Sequence, residues 1–186
     1  MRRKDREITD PARIGQILAG ARYLHLGMHD GPFPYVVPLH YGYVLRDGRL
    51  TFYLHCAGEG HKLDCLRRDP NVFVEVDRGE LLVPADIPCA YGAAYESVMG
   101  RGRAVILEDG EEKCLGLRTL MKTQTGREHE ISAAMARAVT VIRIDMESYT
   151  AKARVQKGGG RSPPPQRSGR KSSHSGAALP HLSGSF

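Results

Sequence analysis

The sequence predicts a mainly β protein in which six or seven antiparallel strands close into a small barrel, with short helices at its ends. Three observations lead there. Short runs of β-branched, aromatic and apolar residues recur along the chain, separated by Gly, Pro and Asp punctuation. Asp47-Gly48 between two such runs is a hairpin signal, which makes its neighbours antiparallel. Gly100 and Gly102 interrupt the longest run, as strong coiling or a bulge does where a barrel closes on itself.

Taken in order, Asp10 can cap free N–H groups and Pro11 suits the first helical position, where no donor is needed. Ile14, Ile17 and Leu18 then share one face of a helix that ends near Gly20. Tyr23, Leu24 and Leu26 open the first strand. Gly31 to Pro34 reads as a turn, because two prolines forbid helix and remove ladder donors. Residues 35–45 form the next strand, and Pro38 inside it implies an edge, a bulge, or a place where a ligand takes the neighbouring strand's position. The hairpin then returns the strand at Thr51 onto the one at Tyr35, which brings Pro38 and His40 within reach of His55. Residues 61–68 are helical and stop at Asp69-Pro70-Asn71. Val72, Phe73, Val74 and Val76 mark a strand, 79–90 a loop with two prolines, and 91–107 the long strand. Residues 108–121 carry acids in their first turn, as helix N-termini favour. A short helix over 128–138, a strand over 139–145 and a last, edge strand over 149–155 complete the domain.

The stretch TFYLHCAGEGHKLD, residues 51–64, holds the chemistry. A strand runs into a Gly-rich turn and leaves it as a helix. Free backbone N–H groups, the positive end of the helix dipole, His61 and Lys62 together make a place for an anion such as a phosphate. The same residues also suit an ordinary strand–turn–helix connection with solvated basic side chains.

Composition sets the outer limits. No apolar run approaches the roughly 18 residues of a membrane span, and no apolar segment follows the basic N-terminus as in a secretory signal, so a cytoplasmic protein without membrane partners is expected. The net charge is +6, with 27 basic and 21 acidic residues. Lys157, Arg161, Arg167, Arg170 and Lys171 all lie beyond residue 155, where there is no acid; 27 less these five leaves 22 basic against 21 acidic residues. The rest of the chain is therefore nearly neutral, and no specific nucleic-acid partner is expected. Residues 156–186 are Gly, Ser, Pro and charge without an apolar face, which cannot offset the entropy of ordering; a disordered basic tail behind a 1–155 domain is expected. Cys56, Cys65, Cys89 and Cys114 show no CxxC pair or zinc-ribbon spacing. His25 and His29 share a strand face about 13 Å apart, at about 3.3 Å per residue, and no metal site is expected of them.

Three ordered blocks, PYVVPLHYGY, FYLHCAGEGHKLDCLRRDPNVFVEVD and YESVMGRGRAVILEDGEEKCLGLRTLM, resemble the FMN-binding split-barrel proteins of the pyridoxamine 5'-phosphate oxidase-like superfamily, in particular the group related to the Nim nitroimidazole-resistance proteins. The resemblance spans about residues 5–155 and implies a split barrel, FMN as cofactor and a homodimer. It lays the isoalloxazine ring along Tyr35, Val36, Val37 and Pro38, with His40 at the far end. It sets the phosphate on Leu54, His55, His61 and Lys62 and brings Ser97 to the flavin. His40 and His55 then border the open ring face as candidate proton donors. The implied activity is an oxidoreductase reducing a small organic acceptor, nitroimidazole-reductase-like. The alternative is a non-catalytic flavin- or heme-binding or sensing module, since superfamily members also bind heme or a deazaflavin. Two departures stand out: His61-Lys62 replaces the Arg-Lys usual in the phosphate turn, and the chain has no Trp, unlike the vitamin B6 oxidases proper.

Overall fold

The computed structural model of the chain describes residues 3–154, and the tail expected at 156–186 lies outside them. Eight strands and four helices follow one another as β1 (Glu7–Ile8), α1 (Pro11–Gly20), β2 (Leu24–Asp30), β3 (Phe33–Leu39), β4 (Gly42–Arg46), β5 (Arg49–Cys56), α2 (His61–Arg68), β6 (Asn71–Val83), β7 (Gly92–Ile106), α3 (Gly110–Thr125), α4 (Ala133–Arg137) and β8 (Thr140–Arg154). The strands form one antiparallel sheet in the order β3-β2-β6-β7-β8-β5-β4, with β1 added to β8.

Two-residue alternation decides which face turns inward. Leu24, Leu26 and Met28 of β2, Val72, Val74 and Val76 of β6, and Phe52 and Leu54 of β5 join Ile142 and Ile144 of β8 in one core. α1 closes one end of it with Ile14, Ile17 and Leu18, and its start is as expected: the Asp10 carboxylate accepts from the N–H groups of Ala12 and Arg13. Tyr41 lies fully buried beneath this helix, donating its hydroxyl to the Leu18 carbonyl at 2.6 Å and meeting the Phe52 ring edge-on. α3 covers the opposite face of β4 and β5, where Tyr53, Leu107 and Val141 make a second small cluster.

The expected mainly β, antiparallel architecture is present, but the barrel is not closed. β3 and β4 are the two ends of the sheet path, and no ladder joins them. The predicted strand over 35–45 is in fact two strands broken at His40-Tyr41, because Tyr41 turns into the core and Gly42 presses against α3. A Cβ on Gly42 would stand 2.4 Å from the backbone nitrogen of Leu120. The hairpin at Asp47-Gly48 forms with both residues at positive φ, yet it joins β5 to β4 and leaves β3 unpaired on its outer side.

Three further boundaries differ from expectation. The predicted turn at 31–34 is confined to Gly31-Pro32, and β3 begins at Phe33. Residues 79–83, predicted as loop, continue β6 past a bulge between Arg78 and Leu81, after which Leu81 to Val83 pair with Gly92 to Ala94 of β7. The two predicted strands after residue 138 are one strand, β8, which is central rather than edge because it pairs with β5, β7 and β1. The irregularity expected near Gly100 and Gly102 falls between Arg101 and Gly102, opposite β8.

Candidate functional site

The split in the sheet exposes two strand edges. β3 pairs only with β2, so Pro38 lies on an edge strand, one of the readings its missing N–H allowed. On β5 the pairing with β4 ends at Tyr53, while pairing with β8 continues through Cys56. The segment Leu54–Cys56 is therefore without a partner on one side, and it leads directly into the Gly58–Gly60 turn and α2.

Three of the predicted residues meet at this point. Burial first, then the neighbouring His40 and Lys62, push the His55 imidazole below its ordinary pKa. The shift acts although much of the residue faces solvent, and it favours the neutral ring over the charged one. Lys62, half-buried in the first turn of α2, also opposes the effect of burial on Cys56, whose thiol is nonetheless pushed up. The His40 ring lies tilted at 46° against the Tyr23 ring, with centroids 4.8 Å apart. Gly60 caps α2 without a side chain, at φ 139°, and no heavy atom lies within 4 Å of a Cβ built at Gly58 or Gly60. The helix head is thus open in front of Lys62.

The other predicted residues stand elsewhere. Leu54 is fully buried, so only its main chain can face a ligand. Tyr35 and Val37 pack inward against the core, whereas Val36 is 55% exposed and Pro38 also points out. His61 turns away from the helix head: its Nε2 lies 2.7 Å from Asp30 Oδ2, and its ring meets Tyr35 edge-on at 5.0 Å. Hydrogen bonding from His61, then from Arg68, holds the Asp30 carboxyl below its ordinary pKa. A carboxylate from β2 thus engages the histidine that was expected to donate to an anion beside Lys62.

Ser97 sits on β7 opposite Asp77 and Lys152. Three strand spacings separate β7 from β3, or about 14 Å at about 4.8 Å each, so Ser97 is not beside Pro38 within one chain. It is 3% exposed, and its hydroxyl has no hydrogen-bond partner among the described residues.

A groove of about 750 Å³ on the outer face of β2, β3 and β6 was not foreseen. Its floor is Gly27, whose neighbours across the sheet are Val36 and Phe73; the missing side chain leaves a trough between two exposed apolar ones. Charged groups stand at its rim, where His25 Nδ1 lies 3.0 Å from Glu75 Oε2 and Arg101 comes from β7. The alternation Val72, Val74, Val76 inward signals an outward Phe73, but which strands flank it is set by pairing alone.

An open antiparallel sheet whose two end strands are joined by no ladder defines a split barrel. The chain belongs to the pyridoxamine 5'-phosphate oxidase family, whose model matches residues 10–153. It is similar to the structure of a candidate 5-nitroimidazole antibiotic resistance protein from Bacteroides thetaiotaomicron, with 34% identity, 79% of this chain and 86% of that chain covered, and a TM-score of 0.67. The fold is shared with a flavocytochrome from Azotobacter vinelandii at 19% identity, covering 97% of this chain and 91% of that one, TM-score 0.67. It is also shared with an FAD-binding protein from Mesorhizobium loti at 23% identity, covering 81% and 98%, TM-score 0.57. No curated protein sequence matches.

Proposed function

We propose that this protein is a cytoplasmic FMN-binding oxidoreductase that passes electrons to a small, flat, electron-poor organic acceptor of the nitroimidazole kind. The observation that carries the reading is the meeting of Lys62, the open head of α2 and the unpaired end of β5. A phosphate suits that place: it would accept from main-chain N–H groups and lie against an ammonium in the field of a helix N-terminus. The residues fit the cofactor in one further respect, the free edge of β3 with outward Val36 and Pro38. The named relatives support it, one by its nitroimidazole connection and others by the flavin or heme they hold.

A bound flavin supplies the electron transfer itself. Within this reading Lys62 holds the phosphate, and the β3 edge lines the ring. His40 and His55 border the substrate side. A neutral His55 can hydrogen-bond a reduced substrate through its ring N–H, and it can pass on a proton only after taking one from solvent to form the imidazolium.

The strip formed by Val36 and Phe73 on either side of Gly27, which are 55% and 46% exposed, is the surface we assign to a second copy of the chain, giving a homodimer. Among the described residues no helix is long and apolar enough to cross a membrane.

The test is spectroscopic and then kinetic. Protein reconstituted with FMN is reduced anaerobically and mixed with a nitroimidazole; reoxidation faster than that of free FMN, slowed in His55→Ala, supports the reductase. Reoxidation no faster than free FMN removes the reductase and leaves a flavin-binding module. A heme spectrum from the purified protein, with no flavin uptake, removes both.

A further inference from the structure

We infer that Asp30, His61 and Cys65 form a binding site for a divalent metal ion of the zinc class. One ligand atom from each lies within 4.8 Å of the others. His61 and Cys65 are four residues apart on α2, which sets them one above the other on the same helix face, and Asp30 is the last residue of β2, brought alongside by the packing of α2 on that strand. All three therefore sit on regular elements, which hold ligands more firmly than loops do.

The distances suit tetrahedral coordination. Metal–nitrogen bonds of about 2.0–2.1 Å and a metal–sulfur bond of about 2.3 Å at a tetrahedral angle leave nitrogen and sulfur about 3.6 Å apart. His61 Nε2 and Cys65 Sγ are 3.7 Å apart. His61 Nε2 and Asp30 Oδ2, now at hydrogen-bond distance of 2.7 Å, need to open by about 0.7 Å, within reach of a carboxylate side chain that is 31% exposed. A thiolate, an imidazole and one carboxylate select zinc over the harder magnesium or calcium, and three protein ligands leave a fourth position for water or an anion.

The acceptors already receive a cation. The Arg68 guanidinium lies 2.9 Å from Asp30 Oδ1 and 3.3 Å from Cys65 Sγ, so it occupies part of the coordination space. Its side chain is 58% exposed and free to swing into water, and an exposed ion pair of this kind is weak. Coordination releases the Cys65 thiol proton to solvent, while His61 binds as neutral imidazole through Nε2 with its ring proton on Nδ1.

The full-length protein, reduced and freed of metal with a chelator, is titrated with Co²⁺ and then with Zn²⁺, in the absence of flavin. The expected result is a near-ultraviolet thiolate-to-cobalt band and the strong visible bands of a four-coordinate ion, both displaced by Zn²⁺. Cys65→Ser removes the thiolate band, Asp30→Asn and His61→Asn each weaken binding by at least about tenfold, and Arg68→Ala tightens it. The Asp30 and His61 side chains are 31% and 52% exposed, so those two variants carry the test even if Cys65→Ser, at a fully buried position, does not fold. No thiolate band, its persistence in folded Cys65→Ser, or unaltered affinity in both Asp30→Asn and His61→Asn overturns the inference. Because no flavin is present, the result is independent of the flavin reading.

Discussion

At the scale of residues, Lys62, His55 and Ser97 each make a separate claim. Lys62→Ala should weaken FMN binding by about 1.5–3 kcal/mol, the worth of hydrogen bonds to a charged group; an unchanged dissociation constant by fluorescence titration puts the phosphate elsewhere. The His55 pKa is depressed in the folded state, so its contribution to stability is complete above the unfolded value of about 6.5 and is lost as pH falls through the lower folded value. Melting temperature should accordingly fall with acidification below about pH 6.5, and less steeply in His55→Asn; identical slopes would show that the ring's surroundings do not matter. Ser97 presents a buried hydroxyl without a protein partner, which costs free energy in the unliganded chain. Ser97→Ala should leave the protein as stable or more stable by about 1 kcal/mol. Calorimetry measures it, and a variant that loses more than about 1 kcal/mol would show that the hydroxyl is satisfied in the folded chain.

At the scale of elements, the junction of β3, β4 and α3 decides where the sheet opens. Gly42 lets the first residue of β4 touch the backbone of α3 at Thr119 and Leu120. Tyr41 beside it anchors to α1, and Gln124 Nε2 donates to the Tyr41 carbonyl at 2.8 Å, so the break in the strand has its polar groups met by two helices. Gly42→Ala forces backbone against backbone and should cost about 1–3 kcal/mol or more, the usual penalty of overpacking. Chemical denaturation measures it, and a variant within a few tenths of a kcal/mol of the parent would mean that α3 is free to move.

At the scale of the whole molecule, the outward strip on β3 and β6 is the test of assembly. Phe73 is 46% exposed beside the Gly27 trough, and a charge there would face a second copy across an apolar contact. Phe73→Glu should shift the protein from dimer to monomer in light scattering while raising or preserving its monomer stability, since the site is exposed in one chain. A monomeric parent with flavin bound removes the dimer altogether.

The sequence by itself determined what depends on neighbours in the chain. Asp10-Pro11 fixed the start of α1, Asp47-Gly48 the hairpin, the Gly58–Gly60 turn the head of α2, and alternating valines the inner face of β6. The resemblance carried by three blocks of sequence was enough for the family. Tertiary structure alone decided what depends on contacts between distant residues. Asp30 is 31 positions from His61, and nothing local predicts that it engages the histidine. The stretch Met146 to Ser148 separates the two expected strands, yet pairing with β7 resumes on both sides of an irregularity there and makes β8 one central strand. The same holds for the break at Tyr41, where a tyrosine with no turn signal is pulled out of line because its hydroxyl and ring find partners in the core. Local propensity is short-ranged, whereas burial and ladder pairing are settled only when the whole sheet has assembled.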